Sequence, residues 1–151
     1  MSRFWLFLGL VALAELIWVG VSFLRPKKRK VLAEAADIVV AGPVDRFKPD
    51  SVTAFPRGRF YLARLENGGF LALSRECTHL GCTVPWVEEE NRFVCPCHSS
   101  IFDIRGVVIS LPAPRPLDIY PVTIENNVVK VDVSKTVERK GFQQTQVTKV
   151  F

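Results

Sequence analysis

Histidine and cysteine are scarce in this chain of 151 residues, with two and four copies, and helical periodicity is missing from everything beyond residue 36. Nothing recurs at a spacing of roughly 20 to 50 residues, which excludes a repeat architecture and leaves one domain with a short appendage. A basic domain is lacking as well. The formal charge of +5 comes from residues 1–30, where Arg3, Arg25, Lys27, Lys28, Arg29 and Lys30 stand against the single acid Glu15. Fourteen cations and fourteen acids remain in the rest of the chain, so that part is neutral and nucleic acid is excluded as a partner.

What the chain does have is one long apolar run, the 21 residues from Phe4 to Leu24, broken by a single charge. At about 1.5 Å per residue a helix of that length reaches about 31 Å, the thickness of a bilayer core. The run is longer than a signal-peptide core, and its Ala12-Leu13-Ala14 triplet lies mid-run, where cleavage is poor; the reading is an uncleaved single-pass anchor. Trp5 and Trp18 carry amphipathic rings of the kind enriched at membrane interfaces, Trp18 lying deeper. Glu15 is costly in lipid and calls for a partner or a proton. Pro26 and the cations Lys27 to Lys30 end the run, so residues 1–30 read as an anchor with a basic flank and residues 31–36 as a linker or hinge.

From Asp37 onward strand signals dominate. Asp37 to Ala41, Ser51 to Phe55, Arg59 to Arg64, Phe70 to Ser74, Arg92 to Cys95, Gly106 to Ile109, Ile119 to Ile124 and Val128 to Val133 are short, rich in β-branched and aromatic residues, and bounded by turn formers. Glu66-Asn67-Gly68-Gly69 and Glu125-Asn126-Asn127 supply residues that tolerate positive φ, as tight hairpins require. An all-β domain over 37–133, an antiparallel sandwich or barrel, follows. Residues 134–151 are polar and read as an extended arm. Trp86 and Glu88-Glu89-Glu90 read as a solvated turn, with a docking face for a cytochrome as the second reading.

All the histidine and cysteine sits in two knots, Cys77-Thr78-His79-Leu80-Gly81-Cys82 and Cys95-Pro96-Cys97-His98-Ser99-Ser100. Each offers one thiolate and one imidazole from a loop between strands, with one further cysteine. Structural zinc prefers Cys-x₂₋₄-Cys and His-x₃₋₅-His, which neither knot shows. Two plain disulfides suit an exported domain but leave both histidines without a role. A Rieske centre, with two cysteines on one iron and two histidines on the other, accounts for both residue types.

CTHLGC and CPCHSS resemble the two cluster-binding boxes of the Rieske subunits of quinol-oxidising cytochrome bc complexes. The resemblance implies a Rieske-like antiparallel β sandwich whose smaller cluster-binding subdomain, about residues 75–117, holds one [2Fe-2S] cluster. It implies Cys77, Cys95, His79 and His98 as ligands, and a Cys82–Cys97 disulfide joining the loops. Leu111 to Leu117 is similar to the family's proline-rich loop, so Pro112, Ala113 and Pro114 are expected to cover the cluster. His98 is expected to meet the quinol and accept its proton, with His79 in the lesser role. Ser100 matches a serine whose hydroxyl bonds a cluster sulfur and raises the potential. High-potential members carry tyrosine where this chain has Phe102, which favours menaquinol; packing in the core accounts for Phe102 equally well.

The function implied is a one-electron carrier subunit of a multi-subunit membrane oxidoreductase, with a cytochrome b-type membrane subunit, a cytochrome c-type acceptor and quinol as partners. A Rieske ferredoxin feeding an oxygenase needs neither disulfide nor anchor. The small subunit of a periplasmic molybdenum oxidase carries the disulfide and stays open, while the proline loop and plain anchor favour the bc type. Topology is contested. The cations after the helix place the head in the cytoplasm, and Arg3 alone precedes the helix, without a twin-arginine pair. A lasting disulfide and the family's chemistry place it on the outer side of an energy-transducing membrane, and that placement is preferred.

Overall fold

A computed structural model describes residues 2–24 and 38–150. The basic flank 25–30, the linker 31–36 and Asp37 lie outside the described residues. The chain divides into two compact units, Met1–Leu32 and Ala33–Phe151.

The first unit is one helix, α1 (Ser2–Leu24). Its Leu10, Leu13, Leu16, Ile17 and Trp18 are all exposed, so the apolar surface runs round the helix instead of marking one stripe. A helix apolar on every side is covered by lipid or by other helices. Among the described residues it is the only helix long and apolar enough to cross a membrane.

The second unit is all β, in three antiparallel sheets. The first joins β1 (Ile38–Pro43), β11 (Val128–Asp132) and β10 (Val122–Glu125) in that order. The central sheet runs β2 (Ser51–Phe55), β3 (Phe60–Arg64), β4 (Phe70–Ser74), β9 (Ile119–Tyr120). The third runs β5 (Trp86–Val87), β6 (Arg92–Val94), β7 (Ile101–Phe102), β8 (Val108–Ser110). Alternation along β3 and β4 divides their side chains between two cores. Phe60, Leu62, Phe70 and Ala72 pack with Val129 and Val131 of the first sheet. Tyr61, Ala63, Leu71 and Leu73 pack with Phe93, Phe102, Cys77 and Cys95 on the opposite side. Two buried faces explain why FYLAR and FLALS read as nearly continuous apolar runs.

The expected run Ile119 to Ile124 is two strands. Pro121 has no N–H for a ladder, and the chain changes sheets there: β9 pairs with β4 and β10 with β11. Asn126 and Asn127, at φ +51° and +62°, make the two-residue turn from β10 to β11. β5 and β7 carry no period to read, being two residues each. The last expected strand on the site side starts at Val108 instead of Gly106, because Gly106 sits in a turn at φ +72°.

Residues 134–150 are not a free arm. Val137 bridges Ile119, Thr148 bridges Phe70, and Val147 and Arg139 are buried. The segment is polar where it meets water and specific where it meets the body, and composition alone conveys only the first property.

Candidate metal centre

Two loops make the site: residues 75–85, leading from β4 of the central sheet to β5 of the third, and residues 95–100 between β6 and β7 of the third sheet. Each six-residue knot folds as the same turn. The first cysteine's N–H donates to the sixth residue's carbonyl, from Cys77 to Cys82 and from Cys95 to Ser100, both at 2.8 Å. The fifth residue's N–H returns to the first cysteine's carbonyl, from Gly81 at 2.8 Å and from Ser99 at 3.0 Å. This turn needs a left-handed fifth residue, supplied by Gly81 (φ +76°) and, at a steric cost, by Ser99 (φ +60°).

The turns point the two donor types in different directions. Cys77 and Cys95 are free thiols, 3% and 2% exposed, at the floor of the site. His98 is exposed, His79 half-buried, and their rings lie edge to face with centroids 4.8 Å apart. Cys82 and Cys97 are joined by a disulfide that ties one loop to the other. The sulfurs of Cys82, Cys95 and Cys97 lie within 4.8 Å of one another, but two of the three are consumed in that bond and retain no thiolate to give. Within the two knots Cys77, Cys95, His79 and His98 are the residues that could hold a metal.

Burial pushes the Cys77 thiol up, and the neighbouring Cys95 acts the same way, while the His79 N–H and the Ser100 hydroxyl favour the thiolate. A thiol whose anion is disfavoured by burial and by a second thiol beside it suits a cation shared with that neighbour.

The loop after β8 lies against both knots. Ala113, 1% exposed, donates its N–H to Ser100 Oγ at 3.0 Å, and Thr78 Oγ1 donates to the Arg115 carbonyl at 2.6 Å. Pro112 and Pro114 are exposed on either side of Ala113, and the Leu111–Pro112 peptide is cis. Phe102 is fully buried in the core that holds Cys77 and Cys95. Glu88 to Glu90 form an exposed single turn, and Trp86 Nε1 donates to Glu88 Oε2 at 2.6 Å.

A free-cysteine and histidine pair on each of two disulfide-linked loops agrees with the comparisons. The model of the Rieske [2Fe-2S] domain matches residues 35–121. This chain is a member of the Rieske family. The cytochrome b6-f complex iron-sulfur subunit of Chlorobaculum thiosulfatiphilum is 31% identical over 122 residues, 80% of this chain and 66% of the relative. That of Prochlorococcus marinus is 47% identical over 73 residues, 47% of this chain and 41% of the relative. The chain thus spans less than two thirds of the length of these curated relatives. The crystal structure of the cyanobacterial plasma membrane Rieske protein of Synechocystis PCC 6803 superposes with a TM-score of 0.52 at 32% identity. That match covers 62% of this chain and 97% of the other.

The cofactor of the Rieske domain is a [2Fe-2S] cluster, and the donors present fit it: two buried thiols for one iron, two imidazoles near the surface for the other. Thr78 and Arg139 belong to the site's surroundings and carry no sequence signal of that role. Arg139 donates from Nε to the Leu117 carbonyl at 2.6 Å, from one terminal nitrogen to the Arg105 carbonyl at 2.5 Å, and from the other to Gln146 Oε1 at 3.2 Å. Burial pushes its guanidinium down to about 10, against the pull of Asp103 and Asp118, so it stays a cation at neutral pH.

Proposed function

We propose that this Rieske protein is the membrane-tethered one-electron carrier of a quinol-oxidising complex, taking an electron and a proton from quinol and passing the electron to a cytochrome. The observation that carries it is the division of donors, with thiols at the floor and imidazoles at the rim. Cys77 and Cys95 hold one iron, His79 and His98 the other. The cluster so held supplies one-electron chemistry at a potential of roughly −150 to +300 mV, within reach of a quinol.

The chain's own residues do the rest. The exposed ring of His98 receives the quinol hydroxyl and holds its proton on the imidazole nitrogen left free by the metal. Leu80 and Leu111, 69% and 73% exposed on the first knot and the proline loop, present apolar side chains that seat in a quinol pocket of a cytochrome b-type membrane subunit. The disulfide keeps the two loops together through docking. The Ser100 hydroxyl stabilises the more negative sulfur of the reduced state, and Phe102 has no second hydroxyl to add, which points to menaquinol. The two relatives described above are subunits of cytochrome b6-f complexes by name. By the same reading α1 is the single membrane span, the head works on the outer side, and a cytochrome c-type protein is the acceptor.

Low-temperature EPR of the reduced protein in its membranes tests this reading. A Rieske spectrum whose g values shift when a quinone-site inhibitor is added is expected. A spectrum indifferent to every such inhibitor would count against quinol as the donor.

A further inference from the structure

Among the described residues Arg139 is the only charged side chain that is buried, at 3% exposure, and it lies outside the residues matched by the family model. Besides Gln146 Oε1 in its own segment, its two carbonyl acceptors lie far away in the chain. Arg105 O sits in the turn after β7, the strand that follows the second knot, and Leu117 O closes the proline loop. The space for the guanidinium is reserved by Gly106. A Cβ there would stand 2.6 Å from an Arg139 terminal nitrogen and 3.2 Å from Leu117 Cβ, and its φ of +72° disfavours any other residue. Leu117 N–H donates to the Gly106 carbonyl at 2.9 Å, so the fork of Arg139 spans two segments already paired with each other. Glu138, its neighbour, reaches Arg115 Nε of the same loop at 3.4 Å.

The loop gripped in this way supplies the amide that orients Ser100. Its Oγ accepts from Ala113 N–H, which commits an oxygen lone pair and leaves the hydroxyl hydrogen to turn to another acceptor, and Ser100 stands near enough to Cys77 to favour its thiolate. The same loop takes the Thr78 hydroxyl from between Cys77 and His79. A buried guanidinium is a costly way to fill space, since removing either partner strands the other. Its planar fork presents Nε and a terminal nitrogen to the two carbonyls in a fixed geometry.

We propose that Arg139 is a positioning residue for the redox centre: it anchors the root of the proline loop, and through Ala113 it holds the Ser100 hydroxyl toward Cys77. The ligand assignment above enters only the redox half of this inference; the grip on the loop stands without it.

Three variants of the full-length protein test it: Arg139→Lys, Ser100→Ala and Val131→Ala. Lysine preserves the charge and one contact but cannot fork, whereas Val131 belongs to the remote core. In Arg139→Lys, amide exchange at Ala113 is expected to quicken by about tenfold or more, as loss of a hydrogen bond to a charged group implies. In Val131→Ala it stays as in the native chain relative to the β core. Redox titration followed by EPR is expected to show a lower midpoint in Arg139→Lys, in the direction of Ser100→Ala. That shift is expected to vanish when Arg139→Lys is placed in the Ser100→Ala background, because the two act along one route. Unchanged exchange at Ala113 would overturn the grip. Quickened exchange with an additive midpoint shift, or with none, would overturn the route through Ser100 while leaving the quinol reading untouched.

Discussion

The two ends of the head are built on different principles. At the base, β3 and β4 pair over five residues each, and their Phe60, Leu62, Phe70 and Ala72 close against Val129 and Val131 with no polar atom required. At the site, strands of two or three residues cannot hold a sheet alone; the loops are joined by a disulfide and by Ser100–Ala113, Thr78–Arg115 and Arg139–Leu117. Burial is non-directional and forgiving, whereas a donor set for two irons needs placement to within a fraction of an ångström. The base supplies stability, and the site uses it to maintain a geometry that packing by itself would not choose.

Removing a ligand is the severest way to break that contrast. Cys77→Ser, His79→Ala, Cys95→Ser and His98→Ala are each expected to abolish the cluster, read as iron per chain, while far-UV circular dichroism retains the β signal of the base. Full iron loading in any one of them removes it from the ligand set. Next in size is the clamp. Cys82→Ser or Cys97→Ser opens a loop spanning 15 residues, which costs about 3 kcal/mol in the chain-entropy account. The expected outcome is a cluster that binds but is lost to chelator faster than in the native protein, measured by bleaching of its visible absorbance.

Val131→Ala approaches the comparison from the base. It deletes two buried methyl groups far from the loops, for about 2 kcal/mol of stability by denaturant titration. The midpoint potential is expected to stay put; if it moves, the ends are coupled more tightly than their separate cores suggest. The smallest effects are the tuning ones. A differential of about 1 kcal/mol between redox states is about 40 mV for one electron, since about 1.4 kcal/mol and about 59 mV both correspond to a tenfold change. Ser100→Ala is expected to lower the midpoint by tens of millivolts and Phe102→Tyr to raise it by a similar amount, both read by redox titration in membranes. Phe102 is fully buried in the core that includes Cys77 and Cys95, so the midpoint of Phe102→Tyr reports whether a hydroxyl there reaches a sulfur. An unmoved midpoint in Phe102→Tyr makes that residue a packing element and withdraws the support for menaquinol.

Much of this was legible from residues alone because the chemistry is local. Two cysteines and a histidine within one six-residue knot, twice over, offer candidate metal donors without reference to any fold. Phe4 to Leu24 announces a span by length, and Ser51 to Phe55 and Phe70 to Ser74 announce strands by their residue types, with bounds that the structure reproduces. Asn126-Asn127 likewise dictates its own turn, because both positions take positive φ. Each of these signals rests on neighbours in the chain.

What only the tertiary structure decided lies between residues far apart in sequence. Pro121 ends a ladder wherever it falls, but which sheets it divides depends on β4 and β11 standing on either side. Ser99 gives no hint of a left-handed backbone; the demand comes from a turn that Gly81 fills without strain in the other loop. Arg139 looked like one more cation in a polar tail. Its two carbonyl partners, Leu117 and Arg105, stand 22 and 34 residues away, and no local pattern of charge or period encodes a contact of that kind. The supply of candidate donors was thus a property of sequence, whereas which cysteines stay free and where they stand required the folded chain, since disulfides, hydrogen bonds and packing across such distances exist only once the sheets have closed.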